Sequence, residues 1–290
     1  MKQMRTETEN THMKLTYLGT AAAEGWPALF CRCPYCRKAL KAGGRNLRTR
    51  SQALINDDLL LDFPPDTFAH MQQNRLDLSA VKYLVVTHGH IDHFYPTDLH
   101  LRDTGFYAHD LTSETLELYG NSRVLSLLER EQVLRAEEPN HTGITPHLAV
   151  AYEPFTCGRY TITPLPANHA AGEDAFVYLI EDGEKAMLYL HDTGLLCEGV
   201  YEYVQAHHVR ADLISYDCTY VALPSGGGHL GLDSCPVVRE RLERIGVSDE
   251  RTVSVVNHFS HNGKLIHDEL VPAAQELGFL TSYDGMVLEF

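Results

Sequence analysis

The chain has 290 residues, 44% hydrophobic and 22% charged, enough to bury a large core, and no apolar run is long enough to cross a bilayer. Its 24 Lys and Arg against 39 Asp and Glu leave a net charge of −15, which argues against long nucleic acid as a partner, because neutralising phosphates needs a basic surface. Seven cysteines, an odd number, argue against a disulfide framework. The first residues, MKQMRTETENTHM, are polar and lack the apolar centre of a signal peptide. Residues 1–13 are therefore expected as a flexible extension, residues 14–290 as one domain, and the cytoplasm as the compartment.

Lys14 to Gly19 (KLTYLG) alternates as a first strand, and the small residues from Thr20 to Gly25 read as a close-packed loop. Cys31, Cys33 and Cys36 follow in CRCPYC. Cys33-Pro34-Tyr35-Cys36 on its own looks like a redox dithiol, whereas three thiols within six residues look like most of a tetrahedral zinc site. Cys31 favours zinc, since a redox pair needs one attacking and one resolving sulfur and a third would form the wrong disulfide. Residues 53–56 and 59–62 predict a hairpin about a turn at Asp57-Asp58. Phe63-Pro64-Pro65 stops it, and residues 67–73 read as a short helix.

Residues 81–93, VKYLVVTHGHIDH, carry the strongest signal. Leu84, Val85 and Val86 form the short apolar run of a strand covered on both faces, and Thr87-His88-Gly89-His90 leaves it as a loop that Gly89 lets tighten. With the backbone extended, His88 and His90 point the same way and can share one ion, while Asp92 and His93 come round to hold a second. This HxHxDH pattern resembles the signature of the metallo-β-lactamase superfamily. The resemblance implies a four-layer αββα sandwich, a fold that hosts many hydrolases. Residues 94–138 read as helical and mixed, with Asn121-Ser122 capping a helix that runs to Ala136. Phe94, Tyr95, Phe106 and Tyr107 are placed either in the core or on a pocket wall. His141 and His147 are read as surface residues of a loop.

Three later segments repeat one arrangement, a short apolar strand running into a ligand-type residue. Residues 161–165 deliver His169, residues 186–190 deliver His191-Asp192, and residues 252–256 deliver His258. Lying side by side, such strands gather their ends at one edge of a sheet, where open α/β folds place their sites. The set divides into His88, His90 and His169 for one ion and Asp92, His93 and His258 for another. Asp192 bridges, because a carboxylate has two oxygens. Two divalent ions about 3.5–4 Å apart lower the pKa of a shared water and polarise the bond it attacks. Mixed imidazole and carboxylate donors admit zinc, manganese or iron. The likeness of LVVTHGH to VSVVNHFSH hints at two related halves. His207-His208 is placed in a helix with Tyr201 and Val204, and Cys157, Cys197, Cys218 and Cys235 are placed in the core.

The series GTAAAEGWPALFCRCPYC, THGHIDH, NH, HDTG and NHFSH is similar, over nearly the whole chain from Lys14, to the PhnP-type branch of that superfamily, phosphodiesterases associated with carbon–phosphorus lyase pathways. The resemblance implies that His261 joins Cys31, Cys33 and Cys36 around one structural zinc, and that His229, in SGGGH, protonates the leaving oxygen. An imidazole with a pKa near neutrality suits that task. Asp217 ends another strand-like run and is placed to bond to a ligand or to His229. Asp92 and His229 are thus the catalytic candidates. The expected protein hydrolyses a small anionic phosphodiester, such as a cyclic nucleotide or cyclic sugar phosphate, without a membrane partner and as a monomer or homodimer. Its rivals are hydrolysis of a thioester or lactone on the same metals, a non-hydrolytic protein like the pyrroloquinoline-quinone biosynthesis member, and a thiol oxidoreductase using Cys33 and Cys36.

Overall fold

The computed structural model describes residues 12–134 and 141–290. The chain first lays down β1 (Lys14–Gly19), β2 (Gln52–Ile55), β3 (Leu59–Leu61), β4 (Tyr83–Val85), β5 (Leu116–Gly120) and β6 (Ile144–Leu148). A second series follows: β7 (Phe155–Cys157), β8 (Tyr160–Pro166), β9 (Phe176–Glu181), β10 (Ala186–Leu190), β11 (Leu213–Asp217), β12 (Val253–Asn257) and β13 (Leu280–Thr281). The last strand, β14 (Met286–Glu289), returns to the first series. Two seven-stranded sheets result, ordered β14-β1-β2-β3-β4-β5-β6 and β13-β12-β11-β10-β9-β8-β7. The helices are α1 (Pro34–Ala42), α2 (Thr67–Asn74), α3 (Ser122–Leu134), α4 (Glu198–Ala206), α5 (Cys235–Arg244) and α6 (His267–Glu276).

Strands covered on both faces need apolar residues at successive positions, and here alternate residues feed different layers. In β10, Met187 and Tyr189 point into a core shared with Leu15, Tyr17, Ile55 and Leu61 of the facing sheet. Leu188 and Leu190 point the other way, onto Val200 of α4, Val238 of α5 and Leu270 of α6. In the first sheet Leu60, Leu84 and Leu118 pack outward against Val124 and Leu128 of α3. The architecture is the αββα sandwich expected from the motif.

Both sheets use one pairing scheme. From β14 to β3 the neighbours are antiparallel and from β3 to β6 parallel. From β7 to β10 they are antiparallel and from β10 to β13 parallel. Two related halves therefore exist, but the counterpart of β4 by position is β11. The sequence likeness had matched β4 with β12, one strand too far.

Several other expectations change. Met13 is fully buried and its N–H donates to the Phe290 carbonyl at 3.1 Å, so it belongs to the core; residues 1–11 lie outside the described residues. Within residues 94–138, β5 precedes the helix. The described part of α3 ends at Leu134, and Ala136 lies outside the described residues. Asn121 does cap it, its Oδ1 accepting from the Val124 amide at 2.9 Å. His147 lies on edge strand β6, stacked on Tyr119 and 2.6 Å from Glu117 Oε2, where Pro146 costs no interior ladder bond. Phe94 joins the core, whereas Phe106 and Tyr107 stack edge-to-face on the surface. Cys157, Cys218 and Cys235 are buried but Cys197 is exposed. His207 terminates α4 and His208 lies beyond it in a left-handed conformation. No helix among the described residues is long and apolar enough to cross a membrane.

Candidate metal centre

The parallel strands of both sheets end at the same side of the sandwich. β4 runs into Thr87-His88, β10 into His191-Asp192, and β12 into His258. Three imidazoles, His88, His90 and His169, meet there, with His88 Nε2 2.9 Å and His169 Nε2 3.2 Å from His90 Nδ1. Beside them Asp92, His93, Asp192 and His258 form a fully buried second group. In it His93 Nε2 lies 3.3 Å from both Asp92 Oδ2 and His258 Nε2. Asp192 spans the two groups: its Oδ2 is 3.8 Å from His88 Nε2, 3.5 Å from His169 Nε2 and 3.2 Å from His93 Nε2. The structure thus brings all seven sequence candidates together, and Asp192 and His258 also lie in a group with Asp217 and His229.

This donor set fits divalent ions. Imidazole nitrogens facing one another gain little from the meeting unless a cation or proton stands between them. Asp192 Oδ1 is buried and has no well-aligned hydrogen-bond donor among the described residues, although His258 Nδ1 stands 2.7 Å away. Burial, with the neighbouring His93, pushes His88 well below the ordinary imidazole value despite Asp192, so it presents the neutral form that a metal requires. Burial also works against a charge on His93, but Asp92, Asp62 and Asp192 outweigh it and raise its pKa.

Neighbouring groups fix these rings. Asp62, fully buried after β3, lies 2.7 Å from His93 Nδ1 and accepts from the amide and hydroxyl of Thr87 at 2.8 and 2.9 Å. Thr219 Oγ1 lies 2.8 Å from His258 Nδ1, and His169 Nδ1 is 3.2 Å from the Gly228 carbonyl. Such partners orient metal-binding imidazoles and select the tautomer. Asp62 and His258 both have left-handed backbones, with φ of 64° and 63°. That conformation is uncommon outside glycine and concentrates at functional sites. Sequence reading missed Asp62, although it too follows an apolar strand. Gly89 serves differently from expectation: it is absent from the left-handed residues, and a Cβ there would lie 2.7 Å from Arg123 Cγ and 3.1 Å from Leu127 Cδ1. Close packing under α3, rather than a tight turn, demands glycine.

A family model for the beta-lactamase superfamily domain matches residues 58–252, which include His88 to His93, His169 and Asp192. The chain belongs to this superfamily. Among curated relatives, coenzyme PQQ synthesis protein B of Methylobacterium nodulans is 26% identical over 234 residues, 72% of this chain and 74% of that protein. The sandwich also resembles the crystal structure of a diphosphatase from the PhnP family, with a TM-score of 0.73, 22% identity, and coverage of 96% of this chain and 98% of that one. Zinc-bound PqqB from Methylobacterium extorquens superposes with a TM-score of 0.68 at 19% identity, covering 96% of this chain and 100% of that one.

Two further groups of side chains in this superfamily chain bear on its chemistry. His229 lies at the rim, partly exposed, its Nδ1 3.2 Å from Asp217 Oδ2 and 3.6 Å from Asp192 Oδ1. Burial opposes its charging, but the Asp217 bond and charge, with Asp192, raise its pKa to about 9. Of the glycines before it, Gly228 packs closely, a Cβ there lying 3.1 Å from His169 Cα, whereas Gly226 and Gly227 have open space at that position; the Gly227 carbonyl oxygen would lie 2.3 Å from a Cβ on Gly194. Farther off, Cys31, Cys33, Cys36 and His261 converge, with His261 Nδ1 3.7 Å from Cys31 Sγ and 3.5 Å from Cys33 Sγ. Each sulfur accepts a backbone N–H: Cys31 from Cys33 at 3.4 Å, Cys33 from Cys36 at 3.3 Å and Cys36 from Ala28 at 3.3 Å. Such bonds stabilise thiolates, and Cys33 also caps the N-terminus of α1. A cavity of about 670 Å³ is lined by Trp26, Arg45, Arg48 and Tyr283 among others and includes none of the seven clustered residues.

Proposed function

We propose that this protein is a dinuclear metal-dependent hydrolase that cleaves a small phosphodiester. His88, His90 and His169 would hold one ion, Asp92, His93 and His258 the other, and Asp192 would join them. Cys31, Cys33, Cys36 and His261 would hold a structural zinc. Bound in this centre, two divalent ions would lower the pKa of a shared water and neutralise charge on the attacked phosphoryl oxygens. The chain's own residues do the rest. Asp62 and Thr219 hold His93 and His258 in orientation, and Asp92 adds negative charge that balances the cations.

The observation that carries the phosphodiester reading is the position of His229. Asp217 occupies its Nδ1 side at 3.2 Å, leaving Nε2 without a hydrogen-bond partner among the described residues, on a ring 4.8 Å from that of His169 and 6.1 Å from that of His258. An alkoxide leaving group needs a proton, and Nε2 of a carboxylate-held imidazole can supply it. Asp217 then stabilises the orientation of the ring while the proton is lost. Thioester hydrolysis makes a smaller demand on such an acid, because a thiolate leaves without one, whereas a lactone releases an alkoxide and is told apart by the substrate comparison below.

A second reading takes support from the curated relatives named for coenzyme PQQ synthesis: a role in cofactor biosynthesis without hydrolysis of a phosphodiester. One experiment separates them. Metal-loaded wild type and His229→Ala are assayed on cyclic and linear phosphodiesters, diphosphates, a thioester and a lactone. The expected result is turnover of a phosphodiester that falls about 10²–10⁴-fold in the variant. No phosphodiester turnover by wild type carrying a full complement of ions would overturn the proposal.

A further inference from the structure

The loop between β8 and β9 supplies His169, and four residues later it makes a contact that the proposed reaction does not use. Glu173 is partly buried, and its Oε2 accepts from the Gly89 amide at 2.9 Å and from Asn121 Nδ2 at 3.2 Å. Asn121 Nδ2 also donates to the Asp174 carbonyl at 2.7 Å, while its Oδ1 caps α3. One carboxylate thereby ties three segments: the His88–Gly89–His90 turn, the start of α3 and the loop carrying His169. Arg123 and Leu127 of α3 crowd the same position, since a Cβ on Gly89 would lie 2.7 Å from Arg123 Cγ, 3.1 Å from Leu127 Cδ1 and 3.2 Å from Glu173 Oε2. The turn packs against the helix and Glu173 together.

Two of those three segments carry the three-imidazole group. His88 and His90 come from one and His169 from the other, so their spacing depends on what fixes one loop against the other. Backbone bonds pin the base of the loop, from the Ala167 amide to the Ala175 carbonyl and from the Phe176 amide to the Thr87 carbonyl, both at 2.9 Å, but its tip past His169 is open: Gly172 has φ of 101° with no atom within 4 Å of a would-be Cβ, and Ala171 and Asp174 are exposed. Ordering such a loop only when an ion arrives would subtract from ion affinity. We infer that Glu173 is a positioning residue that holds His169 in register with His88 and His90, and so sets the affinity of that group for its ion. This rests on the dinuclear reading above. The two bonds need an acceptor oxygen and no negative charge.

The test uses the full-length protein stripped with chelator and titrated with Zn²⁺ alone, ions being counted by elemental analysis and affinities read by calorimetry. Wild type is expected to bind about three ions. Glu173→Ala should weaken one of them about 10–100-fold, the loss typical of removing an outer partner of a metal ligand, and leave the other two unchanged. Glu173→Gln, whose Oε1 accepts the same two N–H groups, should return to within about threefold of wild type. Added to His169→Ala, Glu173→Ala should cost nothing further. If Glu173→Ala fails to fold, Asn121→Ser, which keeps a cap for α3 but drops the Nδ2 bond, should still weaken the same ion selectively. Glu173→Ala with wild-type affinities, an equal loss for every ion, or a Gln variant as impaired as Ala would each overturn the inference. Wild type that binds no ion beyond the one held by the cysteines would overturn the dinuclear reading with it, and shows before any variant is made.

Discussion

The two halves of the sandwich share a pairing scheme yet contribute to the centre in different ways. In the first half β3, β4 and β5 end at Asp62, at the His88 loop and at Asn121; their counterparts β10, β11 and β12 end at Asp192, Asp217 and His258. One loop of the first half holds four donors, His88 to His93, while the strand ends on either side supply only support: Asp62 to His93, and Asn121 to Glu173. The second half spreads its donors, one to a strand end, with Asp217 as the supporting carboxylate in the middle. The same strand ends thus serve a concentrated and a dispersed arrangement. A dispersed donor has no neighbour in sequence to replace it, so single substitutions in the second half should cost most.

Asp192 puts that comparison at its sharpest, because its two oxygens reach both groups. Asp192→Ala is expected to abolish measurable turnover, a fall of at least about 10³-fold, with both centre ions lost in elemental analysis and the cysteine-bound ion kept. His90→Ala, in the concentrated half, should lose less, since His90 is exposed and His88 and His169 remain. Equal losses in the two variants would remove the distinction between the halves.

Next in size is a matched pair of supporting carboxylates. Asp62→Ala removes the partner of His93 and should cost about 10–100-fold in ion affinity, with kcat falling alongside. Asp217→Asn leaves ion binding intact and should lower kcat about tenfold or more on substrates with alkoxide leaving groups. An activated leaving group such as nitrophenolate, which needs no proton, should be spared. The pair is read by comparing calorimetric affinities with rates on the two leaving groups. A loss of ions in Asp217→Asn would make it a second Asp62 and erase the functional contrast.

The contrast also governs what sequence could reveal. A contiguous HxHxDH after a β-branched strand is legible by itself, because ligand spacing and strand burial coincide within a few residues. His169, Asp192 and His258 were legible only as a recurrent strand-then-ligand pattern. Asp62 obeys that pattern, but three leucines before it and Phe63-Pro64-Pro65 after it make it read as a turn. Glu173 and Asn121 were invisible as functional residues: a glutamate in a glycine-containing loop and an asparagine before a helix each have an ordinary local use. β5 was lost for a similar reason. Its alternating Leu116-Glu117-Leu118-Tyr119 is short and runs directly into α3, so helical signals swamp it.

The smallest effect on activity belongs to the cysteine group, which joins the halves through His261 without touching the centre. Removing it should loosen the N-terminal loop, yet that loop has other ties to the second half. The Ala22 amide donates to the Phe259 carbonyl at 3.0 Å, and the Phe259 amide to the Thr20 carbonyl at 2.9 Å. These bonds flank His258 and do not pass through sulfur, and Thr219 holds the His258 ring independently. His261→Ala is therefore expected to lose one ion of about three and to lower Tm by roughly 4–8 °C, for about 2 kcal/mol of lost stability. Turnover at 25 °C should fall less than about threefold. Differential scanning calorimetry with elemental analysis and kcat on the same preparation measures all three. If turnover instead falls as far as in Asp62→Ala, the cysteine group supports the centre directly, and the chain uses three tiers of positioning where the contacts show two.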